Sequence, residues 1–152
     1  MRTLVLGLGN PILCDDSIGL LVARELKGRI TEEGIDVEET SLAGLRLLDI
    51  LAGYDKAIIV DAIETVEGSP GQVCRLSPET FDDAKHLSSV HDVNFATALD
   101  LGHRMQMELP EDMVIFGVAV ADTATFSEEC TPEVKRAVPV CVDMILEELG
   151  GH

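Results

Sequence analysis

The stretch LGLGNPILCDDSIGLLVARELKGR, residues 6–29, decides the fold. Its apolar beginning ends at the Gly-Asn-Pro of residues 9–11, which is typical of a turn. From residue 16 to residue 27 apolar side chains recur at the spacing of one helix face, and Gly28 supplies a stop signal. The stretch therefore predicts a buried strand, a tight turn and a helix.

Strand and helix patterns alternate along the rest of the chain. Residues 35–40, 56–63, 72–77 and 112–121 read as further strands, and residues 42–54, 92–105 and 132–149 as helices, the last of which must tolerate or kink at Pro139. The polar stretch 78–90 fits neither pattern. The alternation predicts an α/β fold with residues 1–152 in a single domain: a three-layer α/β/α sandwich around a twisted, mostly parallel, mixed sheet of about five strands.

Composition narrows the classes of function. Hydrophobic residues make up 46% of the chain, and 11 basic against 28 acidic residues give a net charge of −17. This charge repels phosphate backbones and anionic membranes, so neither nucleic acid nor a membrane is an expected partner. No apolar stretch approaches 18 residues, and the four cysteines form no C-x-x-C pair, so we expect a soluble protein of the reducing cytoplasm.

The glycine turn does not match a dinucleotide-binding fingerprint. A G-x-G-x-x-G motif that starts at Gly7 would need a third glycine where Ile12 stands. Asp15 and Asp16 also lie where a pyrophosphate would approach. The P-loop, G-x-S-x-G and H-E-x-x-H motifs do not occur.

Acidic or imidazole side chains at three places in the chain are candidates for a metal site. Asp15 and Asp16 precede a helix, where one carboxylate serves as a cap and a second stays ionised and free to bind a cation. Asp61 follows the apolar run AIIV at the predicted end of the third strand, and His91 precedes a helix. Each of these residues alone is more typical of a cap, a turn or an exposed site.

The predicted topology brings these candidates together. In open α/β sheets ligands bind beyond the carboxyl ends of the strands, which places the loop of residues 9–16, Asp61 and the loop after Val120 at one edge. A mixed oxygen and nitrogen set suits nickel or zinc, so we expect Asp16, Asp61 and His91 to converge on one ion at bonds of about 2.0–2.2 Å. The nearby Cys14 is interpreted as a packing residue, because flanking carboxylates raise a thiol pKa.

These segments resemble those of the hydrogenase maturation proteases. LVLGLGNPILCDDSIG is similar to the family's N-terminal signature, IIVDAI to its second acidic strand end, and SSVHDVNFATAL to its histidine segment. LAGLRLLDIL resembles the intervening short helix, and CTPEVKRAVP the start of the terminal helix. The similarity covers essentially the whole chain in order.

The resemblance implies a function. The family's members are endopeptidases with a twisted mixed sheet between helices, and they remove a C-terminal extension from the large-subunit precursor of NiFe hydrogenase after nickel insertion. Carried over by motif, the nickel-recognising residues are Asp16, Asp61 and His91, with Asp15 as a supporting cap. In the resembled family the nickel arrives with the substrate, and the resemblance implies the same here. Asp16 stands where some members have Glu, which shortens the reach by one methylene.

Several alternatives stay open. Cleavage by nickel as a Lewis acid and cleavage by a carboxylate as general base are both compatible with the resemblance. The segment AVADTATFSEECTPEV, residues 119–134, is similar to family versions that serve F420-reducing hydrogenases of methanogens. A non-catalytic nickel-binding or partner-binding chaperone on the same fold, and more remotely a nucleotide-binding protein, are competing hypotheses.

Overall fold

The computed structural model describes residues 1–9, 17–41, 45–64, 69–83, 85–86, 95–120 and 131–150. The elements in chain order are β1 (Thr3–Leu8), α1 (Ile18–Lys27), β2 (Ile35–Thr40), α2 (Arg46–Leu51), β3 (Lys56–Glu64), β4 (Val73–Leu76), α3 (Pro78–Asp83), β5 (Lys85–His86), α4 (Phe95–Arg104), β6 (Asp112–Ala119) and α5 (Pro132–Gly150). All the strands and helices predicted from the sequence are present, with bounds that differ by a few residues.

The strands form one mixed sheet in the order β2-β1-β3-β6-β4. The pairings β1–β2, β1–β3 and β3–β6 are parallel, while β4 runs antiparallel to β6 along the edge. The two-residue β5 pairs antiparallel with the end of β3 and is a sixth strand outside that order. The predicted mostly parallel, mixed sheet is thus confirmed, and β4 (Val73–Leu76) forms one of its edges.

Helices cover both faces of the sheet, as the near-continuous apolar strands require. Val5, Ile58 and Val60 face a core cluster that contains the buried residues of α1 and α5. Alternate residues such as Leu6 and Ile59 face a second cluster, built with residues of α2, α3 and α4. This arrangement confirms the predicted three-layer sandwich.

Facing glycines hold α1 directly against the sheet. A Cβ atom on Gly7 of β1 would lie 2.1 Å from the carbonyl oxygen of Gly19 in α1. A Cβ atom on Gly19 would lie 2.1 Å from the carbonyl oxygen of Leu8 and 2.5 Å from that of Val60. Because these neighbours are backbone atoms, only glycine permits this approach. The first turn of α1 is therefore fixed beside the ends of the two central strands.

The stretch 78–90, to which the sequence pattern assigned no element, contains α3 and β5. Ser77 precedes α3, and its hydroxyl accepts the Thr80 N–H at 3.2 Å. The serine followed by Pro78 is a recognisable helix start, an N-cap with proline in the first helical position. The sequence therefore held a signal for α3 that periodicity alone did not reveal.

A glycine ends α2, and the last helix tolerates its internal proline, one of the two outcomes expected from the sequence. Gly53 follows α2 with a φ of +91°, the left-handed conformation that ends many helices. Pro139 lies inside α5, which continues unbroken from Pro132 to Gly150. Pro139 is exposed, so its ring, which has no N–H to donate, lies on the solvent side of the helix.

An ion-pair network ties α5 to the amino-terminal edge of the sheet. The ammonium group of Lys56, whose side chain is 1% exposed, lies 3.3 Å from a Glu148 carboxylate oxygen and 3.5 Å from one of Asp112. Arg75 pairs with the other oxygen of Glu148 at 2.7 Å. Burial alone would raise the pKa of Glu148, but hydrogen bonds from Arg75 and Lys56 outweigh it and lower that pKa below its usual value.

We expect Glu148→Gln to lower the free energy of unfolding at pH 7 by about 2–3 kcal/mol, because it removes charged hydrogen bonds and leaves a buried ammonium group less compensated. A carboxylate with a lowered folded pKa stabilises the protein above its unfolded pKa and loses this effect as the pH falls through its folded pKa. The difference between wild type and variant should therefore shrink below about pH 4. Urea unfolding over a pH series measures it. Glu147, the exposed residue next to Glu148, provides a control. Glu147→Gln should change the free energy of unfolding little at any pH of the series. An equal loss in both variants would contradict the network's role.

Candidate functional site

The carboxyl ends of three central strands lie at one edge of the sheet. Strands β1, β3 and β6 run parallel, with Gly7 paired to Val60 and Ile63 paired to Ala119. The chain therefore leaves β1 at Gly9 and β6 at Val120 on the same edge. The predicted common edge is confirmed for these described residues, and we call it the carboxyl edge.

Asp61 lies at the carboxyl edge but not in a loop. The strand predicted over residues 56–63 is confirmed, but it does not stop at Asp61, because β3 continues past the aspartate to Glu64. The extension is held by pairing to β6 through Ile63 and by the antiparallel pairing of Ile63 with His86 of β5. The pairing with β1 ends one residue earlier, at Val60. Asp61 is thus the first residue of β3 beyond its last pair with β1.

The Asp61 side chain is 0% exposed. Alternation along β3 places it between Ile59 and Ile63, on the sheet face that packs against α2, α3 and α4. One carboxylate oxygen accepts the N–H of Ala62 at 2.8 Å. In the parallel pairing of β3 with β6, Asp61 stands opposite Gly117. An acid buried in such surroundings is costly unless polar or cationic groups compensate for it, which makes Asp61 a candidate for a functional group.

The helix start predicted to carry the acidic pair is described only from Ser17 onward. Ser17 occupies the N-cap position of α1, and its side chain makes no capping hydrogen bond to the helix. A Cβ atom on Gly19, two residues later, would meet the carbonyl oxygens of Leu8 and Val60, so the first turn of α1 lies against the residue that precedes Asp61. Cys14, Asp15 and Asp16 lie outside the described residues. The structure therefore fixes where α1 begins and does not test their roles.

His91 also lies outside the described residues, but the residues that flank its segment are placed. His86 pairs with Ile63, two residues beyond Asp61. On the other side α4 begins at Phe95 and runs towards the amino-terminal edge, where Gly102 approaches Leu109. The two described residues that flank segment 87–94, His86 and Phe95, therefore both lie on the Asp61 side of the molecule.

Two of the three predicted metal ligands, Asp16 and His91, lie outside the described residues. Among the described residues no group of three histidine, cysteine or carboxylate side chains lies close enough to hold a metal ion. Asp61 is the single member of the predicted set within that part of the chain. The convergence of Asp16, Asp61 and His91 stays a prediction.

The thiols on the described parts of the chain have different environments. Cys141 of α5 is buried in the core, and this burial raises the pKa of its thiol to about 12. Such a thiol stays protonated at neutral pH and is a poor nucleophile. Cys74 of β4 is half-buried at the sheet edge.

Comparison with known proteins places this arrangement in a family. The sequence model described as hydrogenase maturation protease matches residues 20–148. The chain is 29% identical to the hydrogenase 2 maturation protease of Escherichia coli over 151 residues, 98% of this chain and 91% of that protein. It is 30% identical over 138 residues to the protein FrxA of Pyrococcus furiosus, which covers 87% of this chain and 93% of that one.

A solved structure has the same fold. The hydrogenase maturating endopeptidase HybD from Escherichia coli superposes with a TM-score of 0.81 at 28% identity, covering 99% of this chain and 93% of that chain. No helix in the described parts of the present chain is both long and apolar enough to cross a membrane.

Proposed function

The chain belongs to the hydrogenase maturation protease family and is a peptidase, and on this basis we propose that it removes a C-terminal extension from the large-subunit precursor of a NiFe hydrogenase in the cytoplasm. The observation that carries the proposal within the molecule is the fully buried carboxylate of Asp61 at the carboxyl edge. Three features support its functional role: its position, its burial and its apolar neighbours. A packing residue at this position would be apolar, as Ile59 and Ile63 are.

Nickel carried by the precursor is the proposed recognition element. Asp61, together with Asp16 and His91, would supply two carboxylates and one imidazole, ligand types that suit a borderline divalent ion. Bound there, nickel would polarise the scissile carbonyl or a water molecule. Asp61 needs no large movement for this role, because pairing on both sides of β3 holds its backbone.

A rigid sheet edge suits the proposed task. The glycine contact between α1 and the ends of β1 and β3 fixes the start of the segment that carries Asp15 and Asp16. The pairing of His86 with Ile63 fixes the start of the segment that carries His91. Sites built on strands and packed helix ends hold ligand side chains in a narrower range of positions than free loops do.

Incubation with a nickel-loaded large-subunit precursor tests the function. We expect the mass of the precursor to fall by that of a single C-terminal peptide, because hydrolysis of the one bond before the extension releases it in one piece. Intact-protein mass spectrometry of both products measures this. Co-purification of precursor and protein with no change in mass would instead identify the chain as a binding chaperone on a protease fold.

A further inference from the structure

One edge of the sheet carries backbone groups that no described residue pairs with. Strand β4 ends the sheet, and among the described residues no strand lies along its outer side. We propose that the C-terminal extension of the precursor docks there as an added strand, which runs parallel to β4 away from the carboxyl edge. This inference rests on the proposed function and names the surface that holds its substrate.

A bulge at the start of β4 determines which backbone groups point outward. The Gly71 N–H donates to the Ala119 carbonyl at 2.8 Å, and the Ala119 N–H donates to the Gln72 carbonyl at 2.9 Å. Two residues therefore oppose one residue of β6, and the φ of +91° at Gly71 is typical of such a bulge. Because the Gln72 carbonyl faces β6 and the bonding direction alternates along a strand, the N–H groups of Val73 and Arg75 face outward.

The two edges of the sheet differ in charge. Strand β2, at the other edge, carries Asp36, Glu38 and Glu39, whereas β4 contains no acidic residue. The charge of Arg75 on β4 is paired with that of Glu148. Every C-terminal extension ends in a carboxylate, which the acidic β2 edge repels more strongly than β4 does. In a chain of net charge −17, β4 is thus the edge that suits this occupant.

A groove beside the start of β4 has room for a side chain of the added strand. It measures about 280 Å³ and lies between residues 70–71 and one stripe of α5, formed by Glu133, Arg136, Ala137 and Val140. Val140 is 51% exposed and gives the groove an apolar wall. Side chains of an added strand alternate between the two faces of the sheet, so those on the α5 face would enter this groove. Backbone pairing would supply affinity, and the groove would supply selectivity for an apolar side chain.

The docking surface is continuous with the edge that carries Asp61. Ala119, which bonds to the bulge, pairs with Ile63, and Asp61 pairs with Gly117 on the same two strands. A strand added beyond β4 would lie three strand spacings, about 14 Å, from β3. An extended chain covers this distance in about four to five residues. A peptide held beside Asp61 therefore reaches β4 along the carboxyl edge and, because β4 runs away from that edge, continues parallel to it.

Amide hydrogen exchange of the wild-type protein tests the docking directly. A synthetic peptide with the sequence of the extension should slow exchange at the Val73 and Arg75 amides by about tenfold or more at saturation, because these N–H groups would donate to the added strand. The amides of β2 are the internal control and should exchange as in the free protein. Unchanged exchange at Val73 and Arg75 at every peptide concentration would overturn the inference.

A backbone substitution tests the same edge during cleavage. Arg75→Pro removes one outward N–H, and Arg75→Ala is its comparator, because both variants lose the guanidinium group that pairs with Glu148. We expect KM for the full-length precursor to be about tenfold or more higher in Arg75→Pro than in Arg75→Ala. An extension shortened to about three residues cannot reach β4, so the two variants should then have equal KM values. Equal values for the full-length precursor, or the same difference for both precursors, would contradict docking at β4.

The exchange experiment needs no variant, so it decides the question even if Arg75→Pro does not fold. Protection of Val73 and Arg75 by the peptide, in a protein that leaves the loaded precursor uncut, would overturn the proposed cleavage and keep the docking surface. Cleavage without this protection would overturn the docking surface alone. Protection that appears without peptide as the protein concentration rises would show that a second copy of this chain occupies β4, which would also overturn the inference.

Discussion

Replacing Asp61 with asparagine is expected to reduce precursor processing by about 100-fold or more, because it removes a preorganised charge from a buried site. The amide has nearly the same shape, and its oxygen can still accept the Ala62 N–H. Because the shape and this hydrogen bond are kept, the unfolding midpoint should stay within about 4 °C of wild type. Initial rates of tail removal, measured beside thermal unfolding, give both quantities.

Cys14→Ser is the comparison that makes the Asp61 result specific. A serine hydroxyl is a far weaker nucleophile than a thiolate without an adjacent base, so a thiol mechanism would fail in this variant. We expect Cys14→Ser to process the precursor at nearly the wild-type rate. Loss of cleavage in folded Cys14→Ser, or near-normal cleavage by Asp61→Asn, would favour a thiol mechanism over the carboxylate site.

Local sequence patterns predicted most of the fold. The strands β1, β3 and β6 are continuous apolar runs because helices cover both faces of the sheet, and that covering makes them easy to recognise. The two-residue β5 could not be recognised this way. Its residues Lys85 and His86 are a strand only because they pair with the end of β3, more than 20 residues earlier in the chain.

The carboxyl end of β3, where Asp61 lies, was also hard to predict from the local sequence pattern. The sequence after Asp61 contains Glu64 and Glu67 and leads to Gly68 and Pro70, which favours a loop. The structure keeps residues 61–64 extended because β6 and β5 supply hydrogen-bonding partners on the two sides. Cross-strand partners are not visible in the local pattern. The sequence therefore placed Asp61 at the correct edge of the sheet, whereas the continuation of β3 to Glu64 depends on pairing that only the folded structure shows.

Burial of charge was equally hard to predict. Lys56 begins a strand in sequence and would ordinarily be an exposed residue. It is nevertheless 1% exposed, and its ammonium group donates a hydrogen bond to Glu148, which lies 92 residues later near the end of α5. Asp61 was recognised as unusual because it interrupts an apolar run, whereas the partners of Lys56 required the folded structure.

The nickel is expected to come with the precursor and not with the free protease. Three protein ligands, two of them carboxylates, would hold a divalent ion only moderately, whereas ligands from the precursor would complete its coordination shell. Recognition would then depend on nickel loading, which makes binding energy available only for the correct substrate. We expect removal of nickel from the precursor to abolish cleavage. Brief treatment of the protease alone with a chelator, followed by removal of the chelator, should leave cleavage of loaded precursor unchanged.

Two experiments test this prediction: metal analysis of the isolated protease, and cleavage assays in which the metal is removed from the protease or from the precursor separately. The isolated protease is expected to contain far less than one equivalent of metal by mass spectrometry, and adding zinc to it should not restore cleavage of nickel-free precursor. Asp61→Asn protein serves as the control, since neither precursor should be cleaved at an appreciable rate. If the chelated protease is inactive and metal returned to it alone restores cleavage of nickel-free precursor, the protein is an ordinary metallopeptidase. In that case Asp16, Asp61 and His91 would hold a resident ion, and the precursor's nickel would play no part in its recognition.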